Sequence, residues 1–181
     1  MNITVYLGSY VGNDEGLRAA VAELGKWIGA SGNTLIYGGS KIGTMGVLAE
    51  SVIKSGGKAI GVEPRFFVEK VLQYDDLTEL IVTENMSDRK AKMIELGDAF
   101  IALPGGTGTL EEISEIMSQV SLGLIDAPCI IYNFDHYYDS LQELLDTMIW
   151  HGLSTKERQA GIHFADNLEE IIQLLTTEKE L

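Results

Sequence analysis

Apolar residues along this chain switch repeatedly between two spacings, and the switches divide it into elements. Ile3 to Leu7 is a compact apolar run and predicts a strand. Glu15 to Ala30 follows with Leu17, Ala20, Val21, Leu24 and Ile28 on one face, the spacing of an amphipathic helix. The alternation then continues. Strands are expected at Thr34 to Tyr37, Lys58 to Val62, Leu80 to Thr83, Ala99 to Leu103 and Cys129 to Tyr132. Between and after them, helices are expected at Thr44 to Lys54, Asp88 to Leu96, Leu110 to Leu122 and Tyr137 to Trp150. Residues 64 to 78, which begin at Pro64 and include Phe66 and Phe67, read as a longer irregular connection. Ile162 to Phe164 is a short strand or extended piece, and Leu168 to Thr176 a last helix.

Repeated strand–helix alternation implies right-handed crossovers and a parallel sheet with helices on both faces. The expected fold is therefore α/β and doubly wound, and no linker, low-complexity run or repeat divides residues 1 to 181 into more than one domain. Ligands of such sheets bind outside the carboxyl ends of the strands. The glycine-rich stretches all fall there: "LGSYVG" after the first strand, "YGGSKIGTMG" after the second and "PGGTGT" after the fifth.

Charge narrows the choice of ligand. Against 13 Lys and Arg stand 27 Asp and Glu, a formal net charge of −14, so the chain as a whole repels nucleic-acid backbones and anionic membranes. Any phosphate it binds needs a local site. The single cysteine, Cys129, excludes an internal disulfide framework and reads as a small apolar residue in a buried strand. No basic leader with an apolar core opens the sequence, and no apolar run reaches the roughly 18 residues of a membrane helix. A cytoplasmic protein with no membrane or nucleic-acid partner is expected.

The stretch "ALPGGTGTLEEI" (102–113) supplies such a local site. Gly105, Gly106 and Gly108 lie between a buried strand and a helix carrying Ile113, Ile116, Met117 and Val120 on one face. A helix N-terminus after a glycine turn offers free N–H groups and a favourable dipole to an anion. Two familiar phosphate motifs do not account for it. No Lys-Ser or Lys-Thr follows these glycines in the register of a P-loop, and "LGSYVGN" lacks the second glycine of G-x-G-x-x-G.

A third pattern fits closely. "PGGTGTLEE" (104–112) matches P-G-G-x-G-T-x-x-E throughout. "MSDRKAKM" (86–93) and "GGSKIGTMG" (38–46) resemble M-H-x-R-K-x-x-M and G-G-G-x-x-G-L-M-G. In this order, and over essentially the whole chain, the sequence resembles the Lonely Guy (LOG) family, often mislabelled as lysine decarboxylases. The resemblance implies a Rossmann-like homodimer without a cofactor. It also implies a phosphoribohydrolase, which cuts the N-glycosidic bond of AMP or an N6-modified (cytokinin) AMP into free base and ribose 5-phosphate. Carried over by motif, Arg89 and Glu112 are catalytic. Lys90, Gly105, Gly106, Thr107, Gly108, Thr109, Leu110 and Glu111 belong to the nucleotide site, with Ser118 where relatives often have a threonine. Gly8, Ser9 and Gly39, at the ends of the first two strands, complete the substrate-binding set. No metal is implied, and His136, His151 and His163 are scattered and read as structural or solvent-facing.

Elementary chemistry gives these residues compatible work. A glycosidic bond breaks through an oxocarbenium-like transition state. A carboxylate near C1′, here Glu112, either stabilises that charge or takes a proton from water. Arg89, always charged and forked, can hold an oxyanion or orient Glu112. Plainer readings exist for the same residues. Thr109-Leu110-Glu111-Glu112 is also a capping box, in which Glu112 bonds back to the cap N–H. Arg89-Lys90 is also a solvated helix start, and Gly38, Gly39, Gly43 and Gly46 serve equally as tight turns and packing points. Ser40, Thr44 and Ser87 depart from the family motifs without removing a proposed catalytic group. Two other classes compete: a non-catalytic nucleotide or cofactor carrier of the same superfamily, and a decarboxylase using pyridoxal phosphate on a lysine.

Overall fold

The computed structural model describes residues 1–70 and 72–177. Its elements run β1 (Asn2–Tyr6), α1 (Glu15–Ala30), β2 (Thr34–Tyr37), α2 (Gly43–Lys54), β3 (Lys58–Pro64), α3 (Arg65–Val68), β4 (Glu79–Thr83) and α4 (Met86–Leu96). They continue as β5 (Ala99–Ala102), α5 (Thr107–Ser121), β6 (Cys129–Tyr132), α6 (Asp139–Trp150), α7 (Lys156–Gln159), β7 (Ile162–Ala165) and α8 (Leu168–Thr177). The strands form one parallel sheet of order β4-β3-β2-β1-β5-β6-β7. This is the expected doubly wound α/β architecture.

The sheet is covered on both sides because alternate strand residues are apolar on both. On one face Ile3, Val5, Leu35 and Ile101 pack under Val21, Leu24 and Ile28 of α1, Leu48 and Val52 of α2, and Ile171 and Leu175 of α8. On the other, Tyr6, Ile36, Val62, Phe100 and Ile131 pack under Met93 of α4 and Ile113, Ile116 and Met117 of α5. Cys129 lies in β6 with its thiol buried, which pushes its pKa up to about 12.

Differences from the sequence reading sit at element ends. The connection at 64–78 begins with the one-turn helix α3, and its Gln73 makes an isolated bridge to Ser40; Val71 of that segment is outside the described residues. α7 is an unexpected single turn, capped by Thr155. α4 starts at Met86 rather than Asp88, because the Asn85 side chain accepts a hydrogen bond from Asp88 N at 2.9 Å and caps the helix. α5 starts at Thr107, one turn before the expected Leu110, with Gly106 as its extended cap residue.

That last shift corrects one reading of Glu112. A capping box needs Thr109 at the cap, outside the helix. Thr109 is instead buried in the first turn, and Glu112 lies a full turn inside α5 with its carboxylate turned toward α4. Glu112 does not cap the helix.

Candidate functional site

β1 is the strand at which the winding reverses: β2, β3 and β4 follow on one side, β5, β6 and β7 on the other. Chain leaving the carboxyl ends of β1 and β5 must therefore diverge, and a crevice opens between them. A cavity of about 650 Å³ occupies this place. Its walls are the loop after β1 (Gly8 to Asp14), the segment from Pro104 to Glu112, Arg89 of α4, and Phe134 to Tyr137 after β6.

The glycine turn is held from below and from behind. Leu103 N donates to Tyr6 O at 2.9 Å, the Tyr138 hydroxyl donates to Leu103 O at 2.9 Å, and the Tyr137 hydroxyl donates to Gly105 O at 2.6 Å. Gly105 cannot carry a side chain, since a Cβ there would lie 2.3 Å from Thr109 Oγ1 and 3.1 Å from Gly8 N. At Gly106 and Gly108 the reverse holds: an added Cβ would meet no protein atom within 4 Å. Both glycines line the cavity, so bare backbone and the first turn of α5 face open space there. The Gly106 cap residue supplies no side-chain hydrogen bond to that turn. This is the arrangement of an anion site at a helix N-terminus.

Arg89 and Glu112 meet on the wall of the same cavity. Nη1 of Arg89 donates to Glu112 Oε1, and Nε donates to Val62 O at 3.0 Å. The two side chains are 11% and 9% exposed. Burial pushes the pKa of Glu112 above the ordinary carboxylate value, the larger effect, while the Arg89 charge and hydrogen bond pull it back down. Tyr6, below them, has its phenol pushed up by burial first and then by the Glu112 charge.

Of the residues singled out from sequence, Gly8, Ser9, Arg89, Gly105, Gly106, Thr107, Gly108, Thr109 and Glu112 line the cavity. Lys90, Leu110, Glu111, Ser118 and Gly39 lie off its lining. Successive helical residues turn by about 100°. Lys90 and Glu111 therefore point away from the chemistry of their neighbours: Lys90 Nζ pairs with Glu111 and, at 3.0 Å, with Glu115, and both bonds raise its pKa. Leu110 and Ser118 face a second, apolar groove between α5 and α6, with Met117, Leu144 and Met148. Gly39, at φ +82°, packs against Glu63.

Sequence reasoning missed the fourth wall. Asp135 and His136 are left-handed, at φ +48° and +61°, and Asp135 lines the cavity. Buried Asn133 shapes the turn, accepting from Tyr138 N at 2.7 Å and donating to Asp139 Oδ1 at 2.8 Å and Asp166 Oδ1 at 3.2 Å. Asn and Asp are the usual non-glycine residues of tight turns, so "NFD" at 133–135 carried a signal. Tyr10, Asn13, Asp14, Met45, Phe67 and Met86 also line the cavity and were not singled out.

Known proteins resemble this chain in sequence and in fold. A family model described as "Possible lysine decarboxylase" matches residues 45–175. A cytokinin riboside 5′-monophosphate phosphoribohydrolase of Rhodococcoides fascians is 37% identical over 172 residues, spanning 94% of this chain and 87% of that protein. An enzyme of the same name from Arabidopsis thaliana is 35% identical over 173 residues, spanning 96% and 81%. Among solved structures, the molybdenum cofactor carrier protein of Chlamydomonas reinhardtii superposes with a TM-score of 0.73 at 20% identity, over 99% of this chain and 98% of that one. The molybdenum cofactor binding protein of Rippkaea orientalis gives 0.72 at 23% identity, over 98% and 96%. At those identities the structural likeness concerns the fold alone.

Proposed function

This chain belongs to the Lonely Guy family, the family of the phosphoribohydrolases it resembles over most of its length, and from that premise we propose that it is a nucleoside 5′-monophosphate phosphoribohydrolase. Its substrate is AMP or an N6-modified AMP, its products the free base and ribose 5-phosphate. The observation that carries this reading is the buried Arg89–Glu112 pair on the wall of a cavity floored by a bare helix N-terminus.

The 5′-phosphate sits on the backbone N–H groups at the start of α5, with the Thr107 hydroxyl as a further donor. This places C1′ toward Glu112. As the bond from C1′ to the base nitrogen breaks, its electron pair leaves with the base and positive charge grows on the ribose. The Glu112 carboxylate opposes that charge and accepts one proton of the water whose oxygen adds to C1′, and a proton taken up by the departing base nitrogen restores the neutral free base. Arg89 holds the carboxylate in place through Nη1 while the Val62 carbonyl fixes its own Nε. Among the described residues the cavity lining contains no lysine, and the motif lysine, Lys90, is held by two glutamates. These facts favour hydrolysis over a lysine-bound cofactor.

Incubation with a panel of nucleoside monophosphates, with released base read by chromatography, tests the reading. AMP should yield adenine, and adenosine should react orders of magnitude more slowly because the phosphate is the handle that positions C1′. Comparable rates on adenosine and AMP would remove the phosphate site. Binding of nucleotides with no release of base from any of them would instead favour a non-catalytic carrier.

The quaternary reading is a homodimer. α5 and α6 form an apolar groove, and Leu122, Trp150 and Leu153 at and just after the ends of these helices are 60%, 81% and 78% exposed. A patch of this kind suits a self-complementary contact between two copies. A monomer mass by light scattering at micromolar concentration, with activity retained, would refute it. The single sheet supports one domain over residues 1–181. Among the described residues no helix is long and apolar enough to cross a membrane. The acidic balance and the buried cysteine thiol fit a cytoplasmic setting.

A further inference from the structure

A second buried carboxylate stands behind the Arg89–Glu112 pair and has no part in the reaction as described. Glu63 lies near the carboxyl end of β3, next to Val62, whose carbonyl accepts from Arg89 Nε. It is 2% exposed, and its Oε2 has no hydrogen-bond partner among the described residues. A buried polar atom without a partner destabilises a fold, so its presence requires a reason.

The backbone has been shaped around it. A Cβ at Gly38 would lie 2.6 Å from Arg89 Nη2, and one at Gly39 would lie 2.7 Å from Glu63 Cγ. Two adjacent glycines thus make room, one for the guanidinium and the other for the carboxylate. This gives Gly39 a role in the site without contact with the cavity.

We propose that Glu63 is a positioning residue: its charge draws on the Arg89 guanidinium from behind, so that Arg89 orients Glu112 without neutralising it. The inference rests on the hydrolase reading of the site. An isolated Arg89–Glu112 pair is neutral and presents little field to a cation forming at C1′. With Glu63 also ionised, one guanidinium is paired with Glu112 and feels a second carboxylate at longer range, and the three groups together carry a net negative charge. Burial raises the pKa of Glu63 and the Arg89 charge lowers it, as at Glu112. The charged group acting on Glu63 is Arg89 from α4, and the charge of Glu63 in turn acts on Tyr37 of β2. The buried Tyr37 hydroxyl also lacks a partner among the described residues, and its phenol is raised by burial, then by the Glu63 charge and by Tyr74.

The test is Glu63→Gln, which keeps shape and removes charge. With AMP, kcat should fall by about ten-fold, the scale for losing a group that orients a site residue, and KM should change little. In protein carrying 13C-labelled glutamate carboxyls, the titration midpoint of Glu112 should fall by about one pH unit, because Arg89 then belongs to Glu112 alone. Glu63→Asp, which keeps the charge, should restore most of the midpoint. A folded Glu63→Gln protein with an unmoved Glu112 midpoint overturns the proposal and leaves Glu63 a packing residue. Should Glu63→Gln fail to fold, Glu63→Met, which also removes the charge, is read in its place, and an unmoved Glu112 midpoint there is equally fatal. If the wild-type protein releases no base from any nucleotide, the hydrolase reading falls, while the carboxyl titration still decides the role of Glu63.

Discussion

Of the ion pairs that join α4 to α5, two are made by residues adjacent in sequence on both helices. Arg89 holds Glu112, and Lys90 holds Glu111. The first pair is about nine-tenths buried and lines the cavity; in the second the glutamate is 55% exposed and faces away from the cavity. Chemically the pairs are near-equivalents, and in sequence they sit in the same two motifs. Environment alone separates them. In water-like surroundings an ion pair contributes little and is screened, whereas a buried pair changes the proton affinity of its members and leaves a costly charge if one partner is lost. Under the proposed function, chemistry falls at the pair whose charges are hard to hold, and scaffolding at the pair whose charges are easy.

Substitutions sharpen this contrast, beginning with the largest effect. Glu112→Gln retains an oxygen for Arg89 but no charge, and base release from AMP should fall by about 100-fold or more. Near-normal turnover in that variant would break the comparison outright, since the buried pair would then be only structural. Arg89→Met strands the Glu112 carboxylate in its buried site. Urea unfolding should show a loss of about 3 kcal/mol, and the acid limb of any remaining activity should move to higher pH because the charge that lowered the Glu112 pKa is gone.

The pH dependence comes next. If Glu112 works ionised, the acid limb of kcat in the wild-type protein should lie above the ordinary carboxylate value of 4.5, in the direction burial shifts it. Stability runs the other way. A carboxyl whose folded pKa is raised contributes stability below its unfolded pKa and loses that contribution as pH rises through the folded value. Glu63 is such a group. Glu63→Gln should therefore melt near the wild-type temperature below pH 4.5 and increasingly above it as pH rises, read by scanning calorimetry across pH. The smallest effect belongs to the outer pair. Glu111→Gln should change activity by less than about five-fold, the limit set by about 1 kcal/mol for an exposed pair. A loss there as large as in Glu112→Gln would mean that burial does not distinguish the two pairs.

Periodicity was enough to read the sheet, because buried parallel strands and amphipathic helices write their environment into residue spacing. That the motif glycines, Arg89 and Glu112 meet at one cavity was legible for a related reason: bare backbone and a buried ion pair need particular residue types. Geometry around a helix was less legible. Lys90 and Glu111 were grouped with the cavity because adjacency in sequence does not report the 100° turn between neighbours. The start of α5 was misplaced by one turn because glycine, a poor helix former, occupies Gly108 inside it. That error carried the capping-box reading of Glu112 with it. Glu63 was overlooked because a lone glutamate in a strand shows neither its burial nor the Arg89 charge that acts on it. The turn at Asp135 and His136 was hidden because its left-handed residues are not glycines.

The sheet order has a consequence for how the protein comes to exist during synthesis. β1 pairs with β5, so Ile3 lies beside Ala99 and Tyr6 beside Ala102. The strands β1 to β4 and their helices can associate while the rest of the chain is still being made. The floor of the cavity cannot, since it needs the segment after β5, and its far wall needs Asn133 to Tyr138, later still. Closing so long a loop is entropically slow. While the 23 residues from Arg89 to Glu112 are being added, the nascent chain therefore holds Arg89 and Glu63 without Glu112. A ligand present during folding should stabilise the last docking step, from β5 onward, far more than the early half. Pulse-labelling hydrogen exchange should show this as protection that arrives early in β2 and β3 and late in α5.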